Sequence, residues 1–272
     1  MKANKKYGVL ISVMLLVVFA VTCTSYAGEN DALPKIVQKG EVTVGIQLAS
    51  EPLCFLNTKT GQIDGMLPEL ARSYAEKLGV KIKFMEFDWP GLFPALLTGK
   101  VDFLAANITT TIPRTEKLNF TRPWMIQGAS ILVRKDTGVK TLADVNSEKI
   151  KMAVSTGSVY VEKLAKSHPK TVINRYQSHM DRLSALLANR SNATIDDELN
   201  IINVYYKGNE NVLTIIPEFY LTQSSRWATR HEDVLLNKSL NIFFDEIRTH
   251  GEYKGIYEKW LKKEWKPKII GF

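Results

Sequence analysis

The apolar positions of this chain follow two alternating periods. Short runs rich in β-branched residues read as strands. Between them lie segments whose apolar residues recur every three to four positions, which read as helices. Residues 41–46 predict a strand. Residues 68–78 predict a helix, with Leu67, Leu70, Tyr74 and Leu78 on one face and Gly79 at its end. Lys81-Ile82-Lys83-Phe84 alternates and predicts a second strand. A short helix follows over 92–98. Residues 101–106 are nearly all apolar, as in a strand covered on both faces. A second series predicts strands at 129–133, 151–154, 171–173, 193–195 and 212–216. Its helices fall at 141–145, 159–167, 181–189 and 198–207. Residues 232–260 read as helical, broken near Gly251. The alternation predicts an α/β class with a largely parallel sheet, and two units of similar plan predict two lobes.

The first residues stand apart from this pattern. Lys2, Lys5 and Lys6 precede an apolar run from Gly8 to Val21, and Ser25-Tyr26-Ala27 supplies a small-x-small cleavage signal. Residues 1–27 therefore read as a cleavable secretory signal peptide, too short in its apolar part for a membrane span. Cys23 raises lipoprotein anchoring as a weaker alternative, because Ala20-Val21-Thr22 fits a lipobox poorly. The predicted location is the periplasm.

Composition narrows the function classes. The remaining roughly 245 residues suit one large or two smaller domains. The net charge is +8, but the lysines are scattered and no basic stripe is interleaved with aromatics, which argues against nucleic acid. Cys54 is the one cysteine outside the leader and reads as a buried, small apolar residue. His168, His179, His231 and His250 lack ligand spacing, so no metal or cofactor is expected. Nucleophile-elbow, P-loop and dinucleotide motifs are missing too.

Two charged residues carry the candidate chemistry. Arg114 ends the polar run that follows the apolar strand at 101–106, and Asp197 ends the strand before the helix at 198–207. In α/β sheets ligands bind beyond the C-terminal strand ends, where residues 107–114, 155–158 and Asp197 all fall. A guanidinium grips a carboxylate through two parallel N–H···O bonds, and a carboxylate accepts from an ammonium. The pair suits the two poles of one small zwitterion. Asp196 competes with Asp197 for that role, and Ser158 also reads as an ordinary N-cap.

Several ordered pieces strengthen this reading. They are Glu51-Pro52-Leu53-Cys54-Phe55, Gly65-Met66-Leu67-Pro68-Glu69-Leu70-Ala71, Asp88-Trp89-Pro90-Gly91-Leu92-Phe93-Pro94-Ala95-Leu96, Gly99-Lys100-Val101-Asp102, Thr109-x-Thr111-x-x-Arg114, Phe120-Thr121-Arg122-Pro123-Trp124 and Gly251-x-Tyr253-x-x-Ile256-Tyr257-x-Lys259-Trp260. Together, over roughly residues 35–263, they resemble the family 3 extracellular solute-binding proteins, the amino-acid-binding components of ABC importers. The resemblance implies a periplasmic-binding-protein-like type II fold, with two α/β lobes joined by two hinge strands and a ligand cleft between them. Lobe 1 would be 28–128 plus 225–272 and lobe 2 would be 129–224, with hinges near Gln127-Gly128 and Gln223-Ser224. It also implies a monomer that serves a permease in the inner membrane.

The same resemblance distributes the site roles. Arg114 would take the ligand carboxylate with help from Thr109. Ser155, Gly157 and Ser158 would offer backbone N–H groups to it. Asp197 would take the ammonium, with the Asn107 carbonyl beside it. Trp89 and Phe55 would form aromatic walls. Leu67 departs from the family's aspartate, and Glu51 is either a reader of a basic or amide side chain or an exposed loop acid. Two alternatives remain open. One is a sensing module for a membrane receptor. The other is a cyclohexadienyl-dehydratase-like enzyme on the same fold, against which stands the missing acid over residues 199–203.

Overall fold

A computed structural model describes residues 30–49 and 51–265. The signal-peptide and lipidation expectations fall outside these residues. Helix α1 (Ala32–Lys39) leads into β1 (Glu41–Ile46), the hairpin β2 (Phe55–Asn57) and β3 (Gln62–Asp64), then α2 (Met66–Leu78), β4 (Lys81–Glu86), α3 (Trp89–Leu97) and β5 (Phe103–Thr109). The one-turn helix α4 (Ile112–Thr115), β6 (Leu118–Phe120) and the long β7 (Met125–Arg134) follow. Next come β8 (Lys151–Ser155), α5 (Val159–Ser167), β9 (Val172–Tyr176), α6 (His179–Leu187), β10 (Ala193–Asp197) and α7 (Glu198–Asn200), which runs on as a π-helical turn over Ile201–Tyr206. The chain then forms β11 (Leu213–Ile215), the long β12 (Leu221–Arg230), α8 (Val234–Thr249) and α9 (Glu252–Leu261).

Apart from the β2-β3 hairpin, the strands form one mixed sheet in the order β4-β1-β5-β12-β7-β10-β8-β9, with β6 pairing to β12 and β11 to β7 off this path. β4, β1 and β5 are parallel to one another, and so are β10, β8 and β9. Between the two triplets run β12 and β7, antiparallel to each other, with Gln127 opposite Gln223. The expectation of a largely parallel sheet holds for the two triplets and fails at this centre. Two strands that cross once in each direction must meet antiparallel.

Separate hydrophobic clusters lie on the two sides of that crossing. One gathers Val42, Val44, Leu70, Phe103, Trp227 and Phe244. Another gathers Ile131, Met152, Val154, Leu164 and Ile195. In the first, Trp227 stacks on Phe103 at 5.3 Å and meets Phe244 edge-on at 4.9 Å. Such aromatic pairs add about 0.5–1.5 kcal/mol each beyond the area they bury. The first four residues of β5, Phe103-Leu104-Ala105-Ala106, are buried and apolar on both faces, as expected of a strand covered on both sides.

Local chemistry sets the loops that shape the site. Gly65 precedes α2 at φ 121°, and a Cβ there would stand 2.6 Å from the Leu53 carbonyl oxygen. Only glycine lets the 51–54 loop close over the start of α2. Thr111 caps α4 by accepting from the Arg114 N–H, which fixes the turn that carries the Arg114 side chain. Ser158 caps α5 by accepting from the Tyr160 N–H at 3.2 Å.

Candidate functional site

The C-terminal ends of β5, β8 and β10 converge with the crossing strands on one cavity of about 60 Å³. That leaves room for roughly four to six water-sized groups, the scale of a single small solute. Arg114, Asp197, Thr109, Asn107, Trp89, Ser155 and Ser158 line it together. Gly157 and Phe55 do not.

Arg114 spans the gap between the two halves. Its Nη1 donates to the Thr109 carbonyl at 2.7 Å, and its Nη2 donates to the Gly157 carbonyl at 3.1 Å. The guanidinium lies 4.9 Å from the Phe93 ring centre and 5.9 Å from that of Trp89, within cation–π range. Burial lowers its pKa from the ordinary value, opposed by the charge of Glu162. A guanidinium carries five N–H donors, so Arg114 keeps some for a guest after these two bonds. Helix α4 has a single turn, so the cation itself and not a helix dipole sets the potential here.

Asp197 closes the opposite end. Its Oδ1 accepts from the Tyr160 hydroxyl at 2.8 Å and from Gln223 Nε2, and its Oδ2 accepts from Gln127 Nε2 at 3.2 Å. Thr109 in turn donates its hydroxyl to Gln223 Oε1 at 2.6 Å. A relay of hydrogen bonds therefore runs from β5 through β12 to β10. Burial first, and the charge of Asp196 second, raise the Asp197 pKa to about 7 against the opposing donation from Tyr160, Asn107 and Gln223.

The neighbouring carboxylate has another partner. Asp196 accepts from Arg182 Nη2 and from Asn200 Nδ2 at 3.2 Å, so its pKa is lowered despite burial. Successive strand residues face opposite sides, which turns Asp196 toward α6 and Asp197 toward the crossing strands. Both acids line the cavity, but Asp196 is paired with the fully buried Arg182, whereas the hydrogen-bond donors on Asp197 are neutral.

Three expected contacts require correction. Phe55 stands edge-on to Trp260 at 5.9 Å instead of lining the cavity, because β2 carries it toward α9. Gly157 offers Arg114 a carbonyl acceptor rather than lying on the cavity as a donor. The Ser158 N–H is taken by the Ser155 carbonyl at 3.0 Å in the turn before α5, so it is not available to a ligand. Asn107 presents its side chain: Oδ1 is buried without a partner, and the amide supports the charge on Asp197. Cys54 lines the cavity as a buried thiol, its pKa pushed up by burial to about 12. Glu51 is exposed and does not line the cavity.

Tyr160, Gln127, Gln223, Arg182 and His179 were not foreseen. Tyr160 had one usable signal, its place in the first turn of a helix that opens at a strand end. The glutamines were expected only as hinge positions through the resemblance, and nothing local marked them as partners of Asp197.

Two α/β lobes on a pair of crossing strands, with a cation and an anion facing a shared small cavity, define a periplasmic-binding-protein-like type II architecture. The chain belongs to the bacterial extracellular solute-binding proteins, family 3, which it matches over residues 42–263. The L-cystine-binding protein TcyJ of Escherichia coli (strain K12) is 25% identical over 254 residues, covering 93% of this chain and 94% of that one. The crystal structure of the ancestral amino acid-binding protein AncCDT-1, a precursor of cyclohexadienyl dehydratase, is 29% identical with a TM-score of 0.76, covering 85% of this chain and 99% of that one. An ancestral arginine-binding protein bound to glutamine is 28% identical with a TM-score of 0.75, covering 82% and 99%.

Proposed function

We propose that this chain binds one amino acid, or an amino-acid-like solute, outside the cytoplasm and delivers it to an ABC importer. One observation carries the reading: Arg114 and Asp197 line the same small cavity. Arg114 takes the α-carboxylate and Asp197 the α-ammonium. Trp89 backs the guanidinium and walls the cavity beside it. The relatives named above support an amino acid as the solute class.

The binding cycle follows from the geometry. The lobes are residues 28–128 with 225–272, and 129–224, and they turn about β7 and β12. A ligand enters the open form on one lobe, and closure adds contacts from the other. The Arg114 bond to the Gly157 carbonyl belongs to the closed form. The closed pair of lobes is what an inner-membrane permease engages, and the protein acts as a monomer. Residues 1–27 direct export to the periplasm.

The Arg114→Ala variant tests the reading by isothermal titration calorimetry. Loss of the guanidinium strands a carboxylate in a closed cavity, and binding should weaken by about 2–5 kcal/mol. An unchanged dissociation constant removes Arg114 from the site.

A second reading, a dehydratase, is favoured by one feature. A buried carboxyl with a pKa near 7 is suited to donate a proton at neutral pH. Incubating the protein with any ligand it binds and assaying for product by mass spectrometry separates the two. Product formed at a rate abolished by Asp197→Asn supports the enzyme; unchanged ligand supports the binding protein.

A further inference from the structure

Two residues of α6 that line the cavity each keep a buried donor with no partner. His179 and Arg182 both line it, and His179 Nε2 and Arg182 Nε are buried without a hydrogen bond. The tautomer of His179 follows from its other nitrogen. Arg182 Nη2 stands 2.7 Å from His179 Nδ1, and a guanidinium nitrogen can only donate. Nδ1 is therefore the bare, accepting nitrogen, and the Tyr205 hydroxyl lies 2.7 Å from it as well. Burial lowers the pKa of His179 to about 4, so the ring is neutral and its single proton sits on Nε2. An N–H left unpaired in a dry site is costly, and a ligand atom that accepts from it recovers that cost.

The anions at this end are already committed. Asp196 is held by Arg182 and Asn200. Leu67 and Leu53 supply the apolar walls, and Glu51 stays outside. A cationic side chain would meet donors and a guanidinium, with no free carboxylate.

We infer that His179 is a specificity residue, and that the preferred amino acid carries a side-chain carbonyl oxygen, as amide or carboxylate, which accepts from His179 Nε2–H. The inference rests on the amino-acid reading above and narrows it. Glutamine, glutamate, asparagine and aspartate are the candidate class. Arginine, lysine and purely hydrocarbon side chains are excluded.

Calorimetry on the intact protein tests this with glutamine, glutamate, asparagine and aspartate against norvaline, arginine and lysine. At least one carbonyl-bearing ligand should bind about tenfold or more tighter than norvaline, arginine and lysine. The amide and acid arms identify which carbonyl is read. His179→Phe should bring the best carbonyl-bearing ligand down to within about threefold of norvaline. Because this variant disturbs a buried network, ¹⁵N NMR of histidine-labelled wild type gives an independent readout, with the Nε2–H tautomer expected for His179. Arginine, lysine or norvaline binding as tightly as the best carbonyl ligand overturns the inference, as does an Nδ1–H tautomer. Failure of every amino acid to bind overturns the underlying reading instead.

Discussion

Ligand affinity should depend on pH through Asp197. Its carboxyl titrates near 7 in the ligand-free protein, whereas an α-ammonium needs it ionised. Its charged and titratable neighbours stay fixed between pH 5.5 and 7.5. Asp196 is held ionised by Arg182, Tyr160 is raised well above 10 by burial, and His179 stays neutral with a pKa of about 4. With a pKa of about 7, roughly three-quarters of Asp197 is ionised at pH 7.5 and roughly 3% at pH 5.5. The dissociation constant of an amino acid should therefore rise about 25-fold across that interval, worth about 2 kcal/mol. Calorimetry at the two pH values reads this directly. The keto acid with the same side chain has no ammonium and should lack this loss. Asp197→Asn should weaken the amino acid more than the keto acid and remove the slope. An amino-acid affinity that is flat with pH, or that falls in parallel with the keto acid's, refutes the assignment of Asp197 to the ammonium.

Three further outcomes follow from the same geometry. The folded-state pKa of Asp197 is raised above its ordinary 3.8, so its stabilising effect is full below about pH 4 and lost as pH climbs to 7. Without ligand, Asp197→Asn should gain about 4 kcal/mol on wild type between pH 4 and pH 8 in urea unfolding; parallel profiles would contradict this. Arg182→Met strands Asp196 as a buried charge and should destabilise by about 3–5 kcal/mol, most of it recovered by adding Asp196→Leu; no recovery in the double variant would count against a paired charge. Gly65→Ala should lower stability by about 1–3 kcal/mol, since its φ of 121° suits glycine and its Cβ would strike the Leu53 carbonyl; an unchanged urea midpoint would show that the loop yields freely.

How far the residues announce this architecture varies with the kind of contact involved. Helix α5 coincides with the predicted 159–167 because a serine cap and an apolar stripe are both local signals. The triplet strands were legible for a similar reason: β5 reads as an apolar run buried on both faces, and β4 alternates between covered and exposed positions. Strand β12 was not legible in its own residues, since Thr222, Gln223, Ser224, Ser225 and Arg226 look like a loop, and only the resemblance put a hinge strand near Gln223-Ser224. Several of their polar groups find partners in chain far away, as when Arg226 Nη1 donates to the Thr121 carbonyl at 2.7 Å. Residues 198–207 carried a helical pattern but close as a π turn after the first three. Arg114 and Asp197 were legible as charges at strand ends. Arg182 was not, because a helical arginine reads as solvated until the strand bearing Asp196 is folded against it.

The amides that hold Asp197 sit on β7 and β12, the strands about which the halves would turn in the proposed cycle. Points near a rotation axis travel least, and those on a long lever arm travel most. Gln127 and Gln223 are register partners on those two strands, whereas the Gly157 carbonyl that meets Arg114 lies beyond them in the turn before α5. Opening should therefore sever the guanidinium's reach across the gap and leave the anionic socket assembled. The protein would greet a newcomer by its positive end and only afterwards grip its negative one.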